Sequence, residues 1–306
     1  MPEKITPEKT IREEKLTKDY PSINKGEVLV PPDAKFETLE KSQPHQKARK
    51  EKPRIYPDRF PVPDDKVSWG ADYPDYDPPS FVAELVLEND CIRKQGGWAD
   101  PESIEATKEI RDIVSYEGVI RYDKEGYPLN PRGRTGIRGR GLLGKHGPNF
   151  AADPIVTRVN VTTGQLEILL IQRSDTGEMA IPGGMVDYGE KVSSTLRREF
   201  KEEAGTELDF GDAELVYQGY VDDPRNTDNA WMETSVYHLH LEERGMDVFP
   251  EAGSDAVSAQ WVVANQENLR NLYASHSASI GETIKKWQEK AKKVVRKDGA
   301  VGIPAA

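Results

Sequence analysis

Hydrophobic and polar positions divide the chain into unlike stretches. Over residues 1–50 lysine, glutamate and proline mix without a sustained period. Such a segment cannot bury enough apolar surface to offset its ordering entropy, so it reads as a disordered tail or linker. From Arg54 to Glu84 prolines alternate with Tyr56, Phe60, Trp69, Tyr73, Tyr76 and Phe81, which predicts an extended path held to a globule by its rings. A glycine- and arginine-rich stretch at 133–141, ending near Gly147, Pro148 and Asn149, predicts no regular structure. Residues 51–152 together form an N-terminal region distinct from the remainder of the chain.

Beyond Pro154 the pattern becomes regular. Residues 155–161 and 166–172 read as strands joined by a hairpin turn at 162–165. Further strands are expected at 214–221, 231–241 and 256–263, each bounded by Gly, Asp, Asn or Pro. The spacing predicts one helix over 191–204 with Gly205 as its stop. A second is predicted over 279–295, where Ile280, Ile284, Trp287, Ala291 and Val294 share one face. The folded unit therefore spans about 153–295, with 296–306 as a flexible tail.

Composition narrows the function classes. Charged residues make up 31% of the 306 and hydrophobic residues 36%, a balance suited to one core plus an unstructured segment. No run nears the roughly 18 apolar residues of a membrane span, so no insertion into a bilayer is expected. Cys91 is the single cysteine; it excludes an internal disulfide framework and a cysteine-built zinc site, and fits a reducing, cytoplasmic or matrix setting. The first residues lack an apolar h-region and interleave lysines with Glu3, Glu8, Glu13 and Glu14, so no export or transit signal is expected. A formal charge of -11 opposes broad nucleic-acid binding, which needs cationic surface. A small anion held by local cations or a metal remains compatible with it.

The chemistry concentrates between Gly184 and Gly205. On a helix Glu199, Glu202 and Glu203 stand at i, i+3 and i+4, neighbours at roughly 5 to 6 Å between Cβ atoms. They occupy the last turn, where the helix dipole disfavours carboxylates. Val192, Leu196 and Phe200 define the buried stripe, and Glu199 and Glu203 fall seven residues after Val192 and Leu196, so both project along it. Taken alone, the three carboxylates read either as a solvated acidic helix face, the usual meaning of such a run, or as buried groups that demand a cation, for which a hard divalent ion such as Mg2+, with Mn2+ as substitute, takes carboxylate and phosphate oxygens together.

The same residues satisfy Gly-x5-Glu-x7-Arg-Glu-hydrophobic-x-Glu-Glu-x-Gly through Gly184, Glu190, Arg198, Glu199, Phe200, Glu202, Glu203 and Gly205. A chance match is on the order of one in 10^8 at any start, taking ordinary residue frequencies. The segment resembles the signature of Nudix hydrolases, departing only at the closing position, Thr206, which is usually aliphatic. The resemblance implies an α/β Nudix fold, a mixed β-sheet sandwiched between helices, with the extended N-terminal region packed on it. It further implies Glu199 and Glu203 as principal metal ligands, Glu202 assisting, and a carbonyl of the Gly183–Gly184 turn joining them, with Gly183 the expected donor. Glu190 is expected to pair with Arg198. Glu199 is also a candidate base, and Glu251 and Asp255 stand in reserve.

Elsewhere, residues 220–234, the Gly133–Gly141 stretch, Gly147-Pro148-Asn149 and residues 272–276 resemble the ADP-ribose pyrophosphatase branch of that family. The likeness extends to the C-terminal domain of melastatin-type, ADP-ribose-gated cation channels, above all at residues 60–69 and 76–79. It implies hydrolysis of ADP-ribose to AMP and ribose 5-phosphate, or an ADP-ribose sensor joined to the rest of a channel polypeptide. In vertebrate channels the Arg-Glu-Phe of the box is degraded; here Arg198, Glu199 and Phe200 are intact. By the same resemblance Asp223 and Arg225 touch the terminal ribose or phosphates, and Tyr273 and His276 line the nucleotide pocket. Arg134, Arg138 and Arg140 either approach the diphosphate or brace chain segments through backbone oxygens.

Overall fold

The structure, a computed structural model, describes residues 44–187, 190–241, 256–270, 272–273 and 276–298, with side chains described as far as 289. In chain order its elements are α1 (Lys47–Lys50), β1 (Ser80–Val82), α2 (Glu84–Leu87), α3 (Ile104–Ile110), β2 (Arg121–Tyr122), β3 (Pro128–Leu129), β4 (Arg138–Gly141), β5 (Gly147–Val159), β6 (Leu166–Arg173), β7 (Met179–Ala180), β8 (Gly184–Met185), α4 (Val192–Ala204), β9 (Glu214–Val221), β10 (Ala230–Leu241), β11 (Ala256–Val263) and α5 (His276–Asp298). Glu251, Asp255 and the side chains of Ala291 and Val294 lie outside the described residues.

The main sheet has the order β11-β6-β5-β10-β9, with β7 beside β6 and β8 beside β5. β5 and β10 run parallel, from Gly147 opposite Ala230 to Arg158 opposite Leu241. The other pairs are antiparallel, so the sheet is mixed. Helices cover both faces, which explains why 168–171 is continuously apolar rather than alternating. Ile168 and Leu170 pack with Ile155, Val236 and the α5 residues Ile280, Ile284 and Trp287. Leu169 and Val156 pack instead against Leu196, Phe200 and Ala204 of α4. Each such buried side chain contributes about 1.5–3 kcal/mol. The expected sandwich of a mixed sheet between two helices is therefore present, and α4 ends where Gly205 turns left-handed at φ 67°.

Three expectations about local structure need correction. β5 starts at Gly147, not at 155, because Pro148 sits where β5 is paired on its β10 side and β8 joins only from Ala151 onward; a residue without an N–H is tolerated there. The Gly133–Gly141 stretch is not wholly irregular, since β4 pairs in parallel with β1. Gly139, at φ 83°, makes this possible: a Cβ would lie 2.6 Å from the Phe81 carbonyl oxygen. Within the supposed tail, residues 44–50 are structured, with Ala48 and His45 buried. The reason is electrostatic. The Asp222 carboxylate accepts the N–H groups of Gln46, Lys47 and Ala48 at 2.7, 3.0 and 2.9 Å, capping α1 from across the molecule.

Two arginines of the glycine-rich stretch, Arg134 and Arg140, act as braces. Arg134 donates to the Lys66, Ser68 and Ala71 carbonyls and stacks over the Trp69 and Tyr76 rings. Arg140 is buried and donates to the carbonyls of Asp100 and Gly144. Arg138 is exposed. Among the described residues no helix is long and apolar enough to cross a membrane.

Candidate active site

The Gly183–Gly184 turn is the floor of an acidic cluster. The Gly183 N–H donates to Glu203 Oε2 at 2.8 Å. A Cβ at Gly184 would overlap the Glu199 carboxyl group, and one at Gly183 would overlap Asp153 Oδ1. Only a turn free of side chains lets carboxyl groups from β5 and α4 close around it. Glu203 is buried at 6% exposure, and burial pushes its carboxyl up to about 7, with Glu199 and Asp153 adding to the rise against the Gly183 N–H and Arg173. Burial likewise raises Asp153 to about 6, opposed by the Thr234 hydroxyl, which donates to Oδ2 at 2.6 Å. Glu199 is raised by burial too, with Arg198 opposing.

The bracing pair expected from the sequence is present. Arg198 Nη2 donates to Glu190 Oε2 at 2.9 Å and Nε to Oε1 at 3.2 Å. That hydrogen bond, above all, holds the Glu190 carboxyl below its usual range. Arg198 also reaches Glu199 at 2.6 Å, Glu202 at 3.3 Å and the Met185 carbonyl, tying helix to turn. Glu202 faces solvent with 47% of its side chain exposed, apart from the buried pair. Helix geometry explains this, because i+4 returns within about 40° of the starting direction whereas i+3 falls about 60° short, at 3.6 residues per turn.

A second wall carries the cations and rings. Arg225 forks onto Asp223, Nε to Oδ1 at 2.9 Å and Nη2 to Oδ2 at 2.7 Å. Burial alone would raise Asp223, but the Arg225 charge and hydrogen bonds hold it low. The Tyr273 and His276 rings meet edge to face, centroids 5.7 Å apart. His276 Nδ1 accepts the Ile181 N–H at 3.1 Å, so that nitrogen carries no proton. Burial drives this imidazole down to about 3, with Arg173 adding to the shift. Trp231, expected to pack rather than stack on a base, is fully buried and donates to Glu233.

Two residues escaped the sequence reading. Asp153 stands on a strand far from the signature, and its only cue is a carboxylate inside the apolar run 151–156. Arg173 closes β6, lies 4.3 Å over the Tyr273 ring, and pairs with Asp175. Its charge is felt by Glu203 on one side and His276 on the other, joining the two walls.

Among the described residues neither Glu203 nor Asp153 has an ion-pair partner, and no three His, Cys, Asp or Glu side chains converge tightly enough to hold an ion alone. Buried, mutually repelling oxygen donors that leave coordination positions open suit a hard divalent cation shared with phosphate oxygens. The residues present therefore fit such a group.

Comparison with known proteins agrees with this geometry. The family description "NUDIX domain" matches residues 153–282, and "NUDT9-like, N-terminal domain" matches 62–147. A Caenorhabditis elegans protein named "Putative nudix hydrolase 6" is 46% identical over 72% of this chain and 88% of its own. The mitochondrial ADP-ribose pyrophosphatase of Rattus norvegicus is 40% identical over 81% of each chain. A transient receptor potential cation channel, subfamily M member-like 2, of Nematostella vectensis is 38% identical over 90% of this chain but only 19% of the channel. With the signature intact, the carboxylates gathered on one glycine turn and these relatives alike along most of its length, the chain belongs to the Nudix hydrolase family.

Proposed function

We propose that this protein hydrolyses the diphosphate bond of ADP-ribose to AMP and ribose 5-phosphate, using Mg2+ or Mn2+. The observation that carries the reading is the cluster of buried Glu203 and Asp153 with half-buried Glu199, facing a wall of Asp223, Arg225, Tyr273 and His276. The name of the rat relative, an ADP-ribose pyrophosphatase, supports the substrate. Glu199, Glu203 and the Gly183 carbonyl would hold the ion, with Glu202 at its solvent edge. When bound, a divalent ion supplies neutralisation of the diphosphate oxygens and acidifies the attacking water.

The chain's own residues do the rest. Arg225, fixed by Asp223, presents a guanidinium to the phosphate oxygens. Tyr273 and neutral His276 offer an aromatic surface and a hydrogen-bond donor at Nε2 to the nucleoside side. Glu190 holds Arg198, and Arg198 holds the Glu199 carboxyl beside the turn. A carboxylate of the cluster takes one proton from water as the water oxygen bonds to phosphorus and the bridging P–O bond breaks; the phosphomonoester on the far side of that bond departs as the dianion or monoanion set by solvent pH.

The test follows AMP release from ADP-ribose with and without Mg2+. Wild type is expected to turn over only with the cation, and Glu203→Gln to lose about 10^2- to 10^4-fold in rate, the range for removing an acid–base or charge-handling group. Without cation Glu203→Gln is expected to melt no lower than wild type, because it removes one charge from a repelling cluster. Undiminished turnover in the variant would reject the role given to Glu203. A second reading, a nucleotide-sensing domain within a longer polypeptide, is favoured by the sea-anemone channel's likeness over 90% of this chain. Binding of ADP-ribose without cleavage would select it.

A further inference from the structure

The loop that carries Asp223 and Arg225 is held from a segment outside both family matches. Three successive carbonyl oxygens of this loop are occupied. Arg59 Nη2 donates to Pro224 O at 2.6 Å and to Asn226 O at 3.2 Å, and Tyr56 O–H donates to Arg225 O at 2.9 Å. Tyr56 is nearly fully buried, and its hydroxyl also accepts the Leu142 N–H at 2.7 Å, so its donor and acceptor roles are both engaged. A Cβ at Gly141 would overlap that hydroxyl. The rest of the Arg59 fork goes to further carbonyls, Glu51 at 2.8 Å and Thr135 at 3.2 Å. One residue earlier in the loop, Asp222 caps α1, also from this segment.

A guanidinium placed among carbonyls alone, with burial lowering its proton affinity, is an expensive way to hold an ordinary surface turn. It is a good way to fix a backbone whose neighbouring side chain must be aimed, since planar fork geometry constrains direction as well as distance. We infer that Tyr56 and Arg59 are positioning residues for substrate binding: by holding the carbonyls of Pro224, Arg225 and Asn226 they set the aim of the Arg225 guanidinium at the diphosphate. This rests on the function proposed above. The affinity of the site then depends on residues that precede the catalytic fold by about a hundred positions.

A mutant cycle on the full chain tests it. Tyr56→Phe removes one hydroxyl without changing shape, and Arg59→Lys keeps the charge while losing the fork. Each is expected to raise KM for ADP-ribose about tenfold, the worth of a buried hydrogen bond in a preorganised site, with kcat changed less than about twofold. In an Arg225→Gln background the same changes are expected to shift KM less than about twofold, since residues acting through one group are not additive. An unchanged KM in both single variants overturns the inference. So does an equal shift in both backgrounds, the mark of a merely structural role, which would also appear as a lost active fraction in kcat. Should Tyr56→Phe fail to fold, Arg59→Lys carries the same comparison. A wild type that binds ADP-ribose without cleaving it rejects the hydrolase reading alone, and the cycle is then read on calorimetric Kd by the same criteria. A wild type that neither binds nor cleaves overturns both.

Discussion

Gly184 sits against the Glu199 carboxyl so closely that any side chain must displace it. Because the atoms in the way belong to the free end of a flexible side chain, Gly184→Ala is expected to leave the fold intact. Its melting point should stay within about 2 °C of wild type, while metal-dependent turnover drops at least about tenfold if Glu199 has the role proposed for it, since misplacing such a group by an ångström is costly. Loss of the fold instead would mean that the turn serves packing and not the cluster. Helical arithmetic on the sequence singles out Glu199 and Glu203, whereas the Glu190–Arg198 brace is read from the signature, since Glu190 precedes the helix. The apolar stripe already puts Glu199 and Glu203 along the buried face, while Glu202 enters only through the resemblance and is turned toward solvent. Asp153 was out of reach: its nearness to Glu199 is created by the packing of α4 on β5 across long sequence separation, which leaves no local period.

Among elements, β6, β9, β10 and β11 were legible because each alternates or clusters apolar residues between turn formers. The opening of β5 and all of β4 were not, because Gly, Pro and Asn are turn formers by default and become strand residues only where a partner backbone comes very near. Gly139→Ala tests this at β4, where a Cβ would press on a backbone oxygen that cannot swing aside. A positive φ adds strain, so the substitution is expected to destabilise by about 2 kcal/mol or more, read as a lower urea midpoint. An unshifted midpoint would show that β4 and β1 are free to separate.

For the molecule as a whole, the seam between the N-terminal region and the sheet carries a pH dependence. His45 lies buried there, with Nδ1 against the Tyr220 hydroxyl at 2.8 Å and Nε2 against the Arg134 carbonyl at 2.9 Å. Burial lowers its proton affinity to about 4 from 6.5. Between these values the unfolded chain binds a proton that the native chain refuses, so stability is lost as pH falls through the window from 6.5 toward 4. The stability difference between wild type and His45→Gln, from urea unfolding, is expected to be larger at pH 7 than at pH 5. A difference that grows on acidification would contradict the buried neutral imidazole. None of this was legible beforehand, because residues 44–50 share the composition of a tail and are ordered by contacts with Asp222 and Tyr220 that lie far away in sequence.

The long parallel ladder of β5 on β10 also governs how the protein can be divided. A fragment beginning at 153, where the catalytic family match starts, would sever β5 midway and strip the partner from Ala230 to Ser235. The bared edge would invite pairing between copies, and sticky aggregates rather than a smaller enzyme are the natural outcome of such a cut.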